Sequence, residues 1–130
     1  MAAGVSAAEL AYLGDAVFEL MVREKLLGEG IPFRALNRRA KGYVSATAQS
    51  AMYHRIFPDL SAEEQAVMKR GRNIHNVSRA KNAGVSEYRH ATGLETLFGH
   101  LHQRGETARV NEIFLMCIGV NFQIGKGEST

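Results

Sequence analysis

Cysteine, proline and long apolar runs are scarce in this 130-residue sequence, and each shortage excludes a class of protein. A single cysteine, Cys117, cannot form an internal disulfide or a thiolate metal site, and it is typical of a buried, inert thiol in an intracellular protein. No apolar run approaches the roughly 20 residues of a transmembrane helix. The first residues lack the basic start and cleavage pattern of a secretory signal, so we expect a cytoplasmic protein without membrane partners.

Acidic residues are absent from two long stretches of the chain, although the net charge is only +3. The first stretch, 30–58, carries Arg34, Arg38, Arg39, Lys41 and Arg55. The second stretch, 65–86, carries Lys69, Arg70, Arg72, Arg79 and Lys81. Charges sorted in this way along a chain are typical of a protein that faces a polyanion.

The apolar residues recur with helical spacing, and two capping boxes, Ser6 with Glu9 and Ser61 with Glu64, mark helix starts. The first helix should run to about Gly28. Its main apolar stripe would comprise Leu10, Leu13, Val17, Leu20 and Met21. No alternating strand pattern is present. The sequence therefore predicts an all-α domain of about six helices.

The later helix boundaries follow from caps and breakers. Ser45 should cap a third helix that stops at Pro58, and Ser86 should cap a fifth. Gly105 should separate the fifth helix from the last one. The stretch 74–85 shows no clear period and is the one long loop that we expect.

Two carboxylates, Asp15 and Glu95, stand among apolar residues on helices that should be largely buried. An unpaired buried charge is costly, so such a group is usually neutralised, paired or bound to a metal. If the two acids met in one cleft, they could hold Mg²⁺ through oxygen ligands and support phosphodiester hydrolysis. The alternative is that each acid pairs with a nearby arginine or caps a helix.

A resemblance to a known family favours the hydrolytic interpretation. The segment "LAYLGDAVFEL" resembles the signature helix of the ribonuclease III family, and "GLETLFGHL" resembles its second acidic motif. "YVSATAQSAM", "VMKRGRN" and "YRHATGLETLFGHL" resemble the Mini-ribonuclease III branch. The resemblance covers about residues 8–120. It implies that Asp15 is the catalytic aspartate, that Glu95 is the metal-binding glutamate, and that both residues are catalytic and ligate the metal.

Two other acids of full-length ribonuclease III are replaced here by Ala11 and Thr92. Members of the Mini-ribonuclease III branch lack them too, so the departures fit the branch, but they leave few ligands for the metal. Asp15 and Glu95 must then share the ion with water and RNA phosphate, or a neighbour such as Glu19 must help.

The resemblance further implies a magnesium-dependent endoribonuclease, with manganese as a possible substitute, that cleaves double-stranded RNA as a homodimer. Each of two active sites would cut one strand and leave a short 3′ overhang. The branch matures precursor 23S ribosomal RNA in bacteria. We expect a ribonuclease III-like catalytic domain over residues 1–122, a disordered tail over 123–130 and no separate double-stranded-RNA-binding domain.

The segment around the fourth helix is the best candidate for contact with RNA. Its candidate residues are Lys69, Arg70, Arg72, Asn73, Arg79 and Lys81. The helix dipole by itself favours basic residues at the end of a helix, such as Lys69, Arg70 and Arg72. It does not explain Arg79 and Lys81 in the loop, which suit contact with RNA. Two alternatives stay open at this point. One is a ribonuclease III-like RNA-binding module without activity, and the other is a helical DNA-binding or protein-interaction domain.

Overall fold

The computed structural model describes residues 4–74 and 84–125, with side chains up to residue 119. Its helices are α1 (Ala7–Leu27), α2 (Leu36–Val44), α3 (Ala46–Ile56), α4 (Ala62–Arg72), α5 (Val85–Gln103) and α6 (Thr107–Gly125). Short 3₁₀ turns, Phe33–Ala35 and Phe57–Asp59, precede α2 and follow α3. No strand occurs within these residues, so the predicted all-α fold is confirmed. Across the same residues, none of the helices combines the length and the apolarity needed to cross a membrane.

Local side-chain caps start three of the helices where the sequence predicts them. The Ser6 hydroxyl accepts a hydrogen bond from the Glu9 amide, and the Glu9 carboxylate accepts one from the Ser6 amide. Ser61 and Glu64 form the same reciprocal pair at the start of α4. Ser45 accepts from the Ala48 amide at the start of α3. These caps satisfy amides that would otherwise lack partners inside the helix.

The predicted cap of the fifth helix is wrong. Helix α5 begins at Val85, one residue before Ser86, and its N-cap is Gly84, which provides no side-chain hydrogen bond. Ser86 therefore lies within the first turn, where its carbonyl oxygen is 2.7 Å from the His90 Nδ1 atom. Gly105 does end α5 as predicted, with a positive φ of 74° that favours glycine.

Helix α5 is the centre of the molecule, and α1, α3 and α4 pack around it. Leu94, Leu97 and Phe98 of α5 are at most 1% exposed. The stripe predicted for the buried side of α1 is only partly right, because Leu20 is 57% exposed. The residues of α1 that are buried are Leu10, Ala11, Gly14, Phe18, Val22 and Leu26. The side of α1 that carries Gly14 is the one that lies against α5.

A partly buried ion pair joins α4 to α6. Both oxygens of Glu64 accept hydrogen bonds of 2.8 Å from the Arg109 guanidinium. Hydrogen bonds from Arg109 are the main cause that lowers the pKa of Glu64 to about 2, against its burial. Since the same carboxylate caps α4, this pair fixes the start of one helix against another.

The predictions for the loop and the tail concern residues that are only partly described. Residues 75–83 and 126–130 lie outside the described part of the chain. Helix α6 continues to Gly125, past the limit of 122 predicted for the domain. Cys117 lies in α6 with no exposed surface, and burial raises the pKa of its thiol to about 12. The thiol is therefore un-ionised near neutral pH, in agreement with the predicted inert cysteine.

Candidate active site

Two glycines allow α1 and α5 to touch through their backbones. A Cβ atom on Gly14 would lie 1.7 Å from the carbonyl oxygen of Glu95. A Cβ atom on Gly99 would lie 1.9 Å from the carbonyl oxygen of Leu10. No side chain fits at either position, so the close crossing of the two helices requires glycine on both sides.

This crossing brings together the carboxyl groups of Asp15, which follows Gly14, and Glu95. The Asp15 side chain is exposed, whereas Glu95 is half-buried. Burial is the main cause that raises the pKa of Glu95 to about 8, followed by the negative charge of Asp15 and a hydrogen bond with Asp15. The two carboxyl groups therefore lie close enough to share a proton or a cation.

Neither carboxylate is neutralised by a basic side chain within the described residues. The acids that form ion pairs there are Glu19, Glu29, Glu64, Glu106 and Glu112. Neither Asp15 nor Glu95 caps any helix in the described part of the chain, where the capping carboxylates are those of Glu9 and Glu64. The described ranges thus give no support to the alternative that the two acids are structural.

The carboxylate oxygens of Asp15 and Glu95 suit a hard divalent cation. Two adjacent carboxylates repel each other, and a cation between them would remove the repulsion that raises the pKa of Glu95. No cluster of three or more histidine, cysteine, aspartate or glutamate side chains that could hold a metal occurs in residues 4–74 and 84–119. A metal at this position would therefore take its remaining ligands from water or from a bound substrate, as Mg²⁺ commonly does.

The sequence allows Glu19 as a further metal ligand beside Asp15, but the structure pairs the Glu19 side chain with Arg23. Its Oε2 atom lies 2.7 Å from the Arg23 Nη2 atom, one helical turn further along α1. Both side chains are more than one-third exposed, so this is an ordinary surface pair.

Gln49 on α3 is a site residue that the sequence analysis missed. Its side chain is 1% exposed and acts on Glu95 as a donor would, lowering the pKa of the carboxyl. Neither its Nε2 nor its Oε1 atom makes a hydrogen bond of ordinary geometry. A buried carboxamide without partners is costly, so its place beside the carboxylates indicates a functional role. The one signal in the sequence is a polar residue at a core position of "ATAQSAM".

The basic residues predicted to contact RNA gather at the end of α4. Lys69 and Arg70 are exposed, Arg72 is half-buried, and Asn73 follows as the C-cap. The Arg72 Nε atom donates to the Asn73 side-chain oxygen at 3.1 Å. Arg79 and Lys81 lie outside the described residues.

The stability of the metal-free protein should fall as the pH rises from about 4.5 to about 8. In this range Glu95 is ionised in the unfolded chain but keeps its proton in the folded one, so raising the pH favours unfolding. Thermal unfolding in chelator at several pH values measures the effect. Glu95→Gln should flatten the dependence, whereas Glu63→Gln, at an exposed position of α4, should retain it. An unchanged slope in Glu95→Gln would contradict the raised pKa of Glu95.

Comparison with known proteins gives consistent matches. A sequence model of the Ribonuclease III domain matches residues 8–106. A Mini-ribonuclease 3 from Symbiobacterium thermophilum is 45% identical over 105 residues, which are 80% of this chain and 81% of that protein. A Mini-ribonuclease 3 from Brevibacillus brevis is 42% identical over 121 residues, 92% of this chain and 87% of that protein. A crystal structure of a Fusobacterium nucleatum protein is 33% identical with a TM-score of 0.82, covering 91% of this chain and 95% of that one.

Proposed function

Since the chain belongs to the ribonuclease III family, in its Mini-ribonuclease III branch, and is therefore an endoribonuclease, we propose that it cleaves double-stranded RNA with Mg²⁺ held by Asp15 and Glu95. The family uses divalent metal ions. The observation that carries the proposal is the pair of adjacent carboxyl groups at the glycine crossing, without a basic partner in the described residues. A divalent cation would supply the positive charge that Asp15 and Glu95 lack among the described side chains.

The two positions where full-length ribonuclease III carries further acids support a small ligand set. Ala11 is 7% exposed and packs in the core, on the same helix as Asp15. The Thr92 hydroxyl donates to the Tyr88 carbonyl oxygen at 3.0 Å, within α5. Neither side chain provides a carboxylate, so Asp15 and Glu95 act as the two protein ligands, with Gln49 beside them.

The roles of the residues follow from their positions. When bound, the divalent ion stabilises negative charge that develops on the phosphate and makes water more acidic. Exposed Asp15 and half-buried Glu95 would hold the ion through their carboxylate oxygens. The rigid crossing at Gly14 fixes the distance between these two ligands, because backbone contact leaves no room for adjustment. Gln49 on α3, which lowers the pKa of Glu95, would orient the Glu95 carboxylate once the ion is bound.

The cations at the end of α4 suit the phosphates of an RNA duplex. Lys69 and Arg70 are exposed, and none of the ion pairs of the described residues involves them or Arg72. Duplex RNA presents phosphates and a shallow minor groove with 2′-hydroxyls, which arginine, lysine and asparagine can contact. We assign this role to Lys69, Arg70, Arg72 and Asn73, and the loop residues Arg79 and Lys81 extend the same proposal.

A homodimer is the second part of the proposal. Large apolar side chains are exposed on the surface, including Tyr12 at 85% and Phe33 at 88%, and a subunit interface would remove such side chains from water. Sedimentation equilibrium should give twice the mass of the chain. Precursor 23S ribosomal RNA is the substrate that we propose, with cleavage in the bacterial cytoplasm, where that RNA is made.

Incubation of long duplex RNA with the protein tests the proposed reaction directly. With Mg²⁺ the RNA should be shortened, and with chelator it should remain intact. A shifted but intact band with Mg²⁺ would instead favour an RNA-binding module without activity. Indifference to RNA would favour a DNA-binding or protein-interaction domain. Precursor 23S RNA and an unrelated duplex of equal length, compared under the same conditions, test the substrate.

Gln49→Leu should lower the cleavage rate about 10-fold or more and leave the metal-free protein as stable as the parent or about 1 kcal/mol more stable. Leucine has a similar volume and removes two unpartnered polar atoms from the interior, but it cannot orient Glu95. Initial rates at several Mg²⁺ concentrations and thermal unfolding in chelator measure both effects. Ser50→Ala, at the next buried position of α3, is the control. Full activity in Gln49→Leu would mean that the carboxamide has no part in the site.

A further inference from the structure

Two adjoining cavities lie where the C-terminal ends of α3 and α4 meet the start of α5. Their volumes are about 420 and 260 Å³, and Arg72 and His90 line both. Arg89 completes the larger cavity, and Lys69 and His54 belong to the smaller one. Neither cavity is lined by a carboxylate from the described residues. The space is therefore surrounded by positive and titratable groups.

Two histidines stand side by side in this space. The ring centroids of His54 on α3 and His90 on α5 are 4.5 Å apart. The His90 Nδ1 atom lies 2.7 Å from the Ser86 carbonyl oxygen, which can only accept, so Nδ1 carries a hydrogen. The Nε2 atom of His90 is then the one left to meet a ligand.

Two buried polar atoms at the same place make no hydrogen bond of ordinary geometry in the described structure. One is the Nε atom of Arg89. The other is the hydroxyl of Tyr53, a residue that is only 3% exposed and lies within reach of the Arg72 guanidinium. The Tyr53 ring packs against His90, with centroids 4.6 Å apart. Buried donors without acceptors are uncommon, and here both belong to the residues that border the cavities.

The surrounding charge decides which ligand fits. Two adjacent imidazoles can bind a transition metal, but Lys69, Arg72 and Arg89 would repel a cation. Burial and the neighbouring His90 both lower the pKa of His54, so the pair resists double protonation on its own. An anion would offset this repulsion and accept hydrogen bonds from the unpartnered donors.

We propose that Arg72, Arg89, His54 and His90 form a binding site for a phosphoryl anion, at the junction of α3, α4 and α5. The ligand is either a phosphodiester of the RNA backbone or a free phosphate ion, since both present the same acceptor oxygens. The site itself follows from the cavities and their donors. Only the assignment of the anion to duplex RNA rests on the proposed function.

Titration of the full-length, metal-free protein with inorganic phosphate tests the site without any cleavage. The His54 and His90 resonances in NMR spectra should shift, and the pKa of His54 should rise when phosphate is bound. The other titratable or charged groups that face the pair are Tyr53 on α3, Lys69 and Arg72 on α4, and Arg89 on α5. Sodium chloride at equal ionic strength is the control for screening.

Arg89→Gln and His90→Gln should each weaken phosphate binding about 10-fold. The matched controls are Arg104→Gln and His102→Gln, exposed residues at the other end of α5. Thermal unfolding shows whether Arg89→Gln is folded, and His90→Gln provides the test if it is not. Phosphate binding that is undetectable in the parent, or equal in all four variants, would overturn the site. Stoichiometric binding of Zn²⁺ that is lost in His90→Gln would overturn it in favour of a metal site.

Binding of duplex RNA in chelator separates the two sources of the anion. If the site holds the RNA backbone, Arg89→Gln should reduce both RNA affinity and the salt dependence of binding, and phosphate should compete with RNA. If RNA binding is unchanged while phosphate binding is lost, the site stands and its ligand is free phosphate. Failure of the proposed nuclease would appear separately, as intact RNA with Mg²⁺ despite normal phosphate binding.

Discussion

Replacing Asp15 by asparagine should reduce the cleavage of duplex RNA about 1,000-fold or more, while RNA affinity in chelator changes less than about threefold. Asparagine keeps the shape of the side chain but removes the charge that would help to hold the cation. The negative charge beside Glu95 disappears as well, so the pKa of Glu95 should fall and the metal-free protein should become more stable.

Single-turnover cleavage rates, RNA binding in chelator and thermal unfolding distinguish these effects. Asp59→Asn is the matched control, because Asp59 is the other aspartate of the chain and is exposed in the 3₁₀ turn after α3. It should leave the rate and stability nearly unchanged. Full activity of Asp15→Asn with Mg²⁺ would show that the metal site is assigned wrongly. A loss of RNA binding equal to the loss of cleavage would contradict the separate roles of the carboxylates and the basic residues.

The sequence predicted the helices well where their ends are encoded locally. Ser6, Ser45 and Ser61 cap helices as predicted, because each cap joins residues only three positions apart. The cap predicted at Ser86 failed, since glycine at position 84 starts the helix without a side-chain hydrogen bond. The buried stripe predicted for α1 is only partly right, and this has a different cause. Hydropathy favours the face with Leu20, but backbone contact with α5 requires the face with Gly14.

The candidate site combines what local sequence can indicate with what only packing reveals. The motifs around Asp15 and Glu95 predict a shared site, and the fold brings their carboxyl groups together across 80 positions of the chain. Gln49 and the His54–His90 pair carry no motif, because each matters only through a contact with a distant helix. Polar residues at helical positions are common on surfaces, so sequence alone does not distinguish these from solvated side chains.

Replacing Gly14 by alanine should destabilise the protein by about 3 kcal/mol or more and lower cleavage by about 100-fold in the fraction that remains folded. The new methyl carbon would lie 1.7 Å from the carbonyl oxygen of Glu95, so α1 and α5 must move apart. This separation carries Asp15 away from Glu95, and a displacement of about 1 Å is enough to weaken shared binding of one ion. Thermal unfolding and cleavage rates measured well below the transition separate the two losses.

Gly42→Ala provides the control for the substitution itself. Gly42 lies inside α2 with open space around its Cβ position, so alanine should stabilise the protein by about 0.5–1 kcal/mol. Gly99→Ala should reproduce the effect of Gly14→Ala, because its methyl carbon would meet the Leu10 carbonyl oxygen at 1.9 Å. If Gly14→Ala retained parental stability and rate, the helices would not cross in backbone contact. The carboxylates would then be positioned by something other than the two glycines.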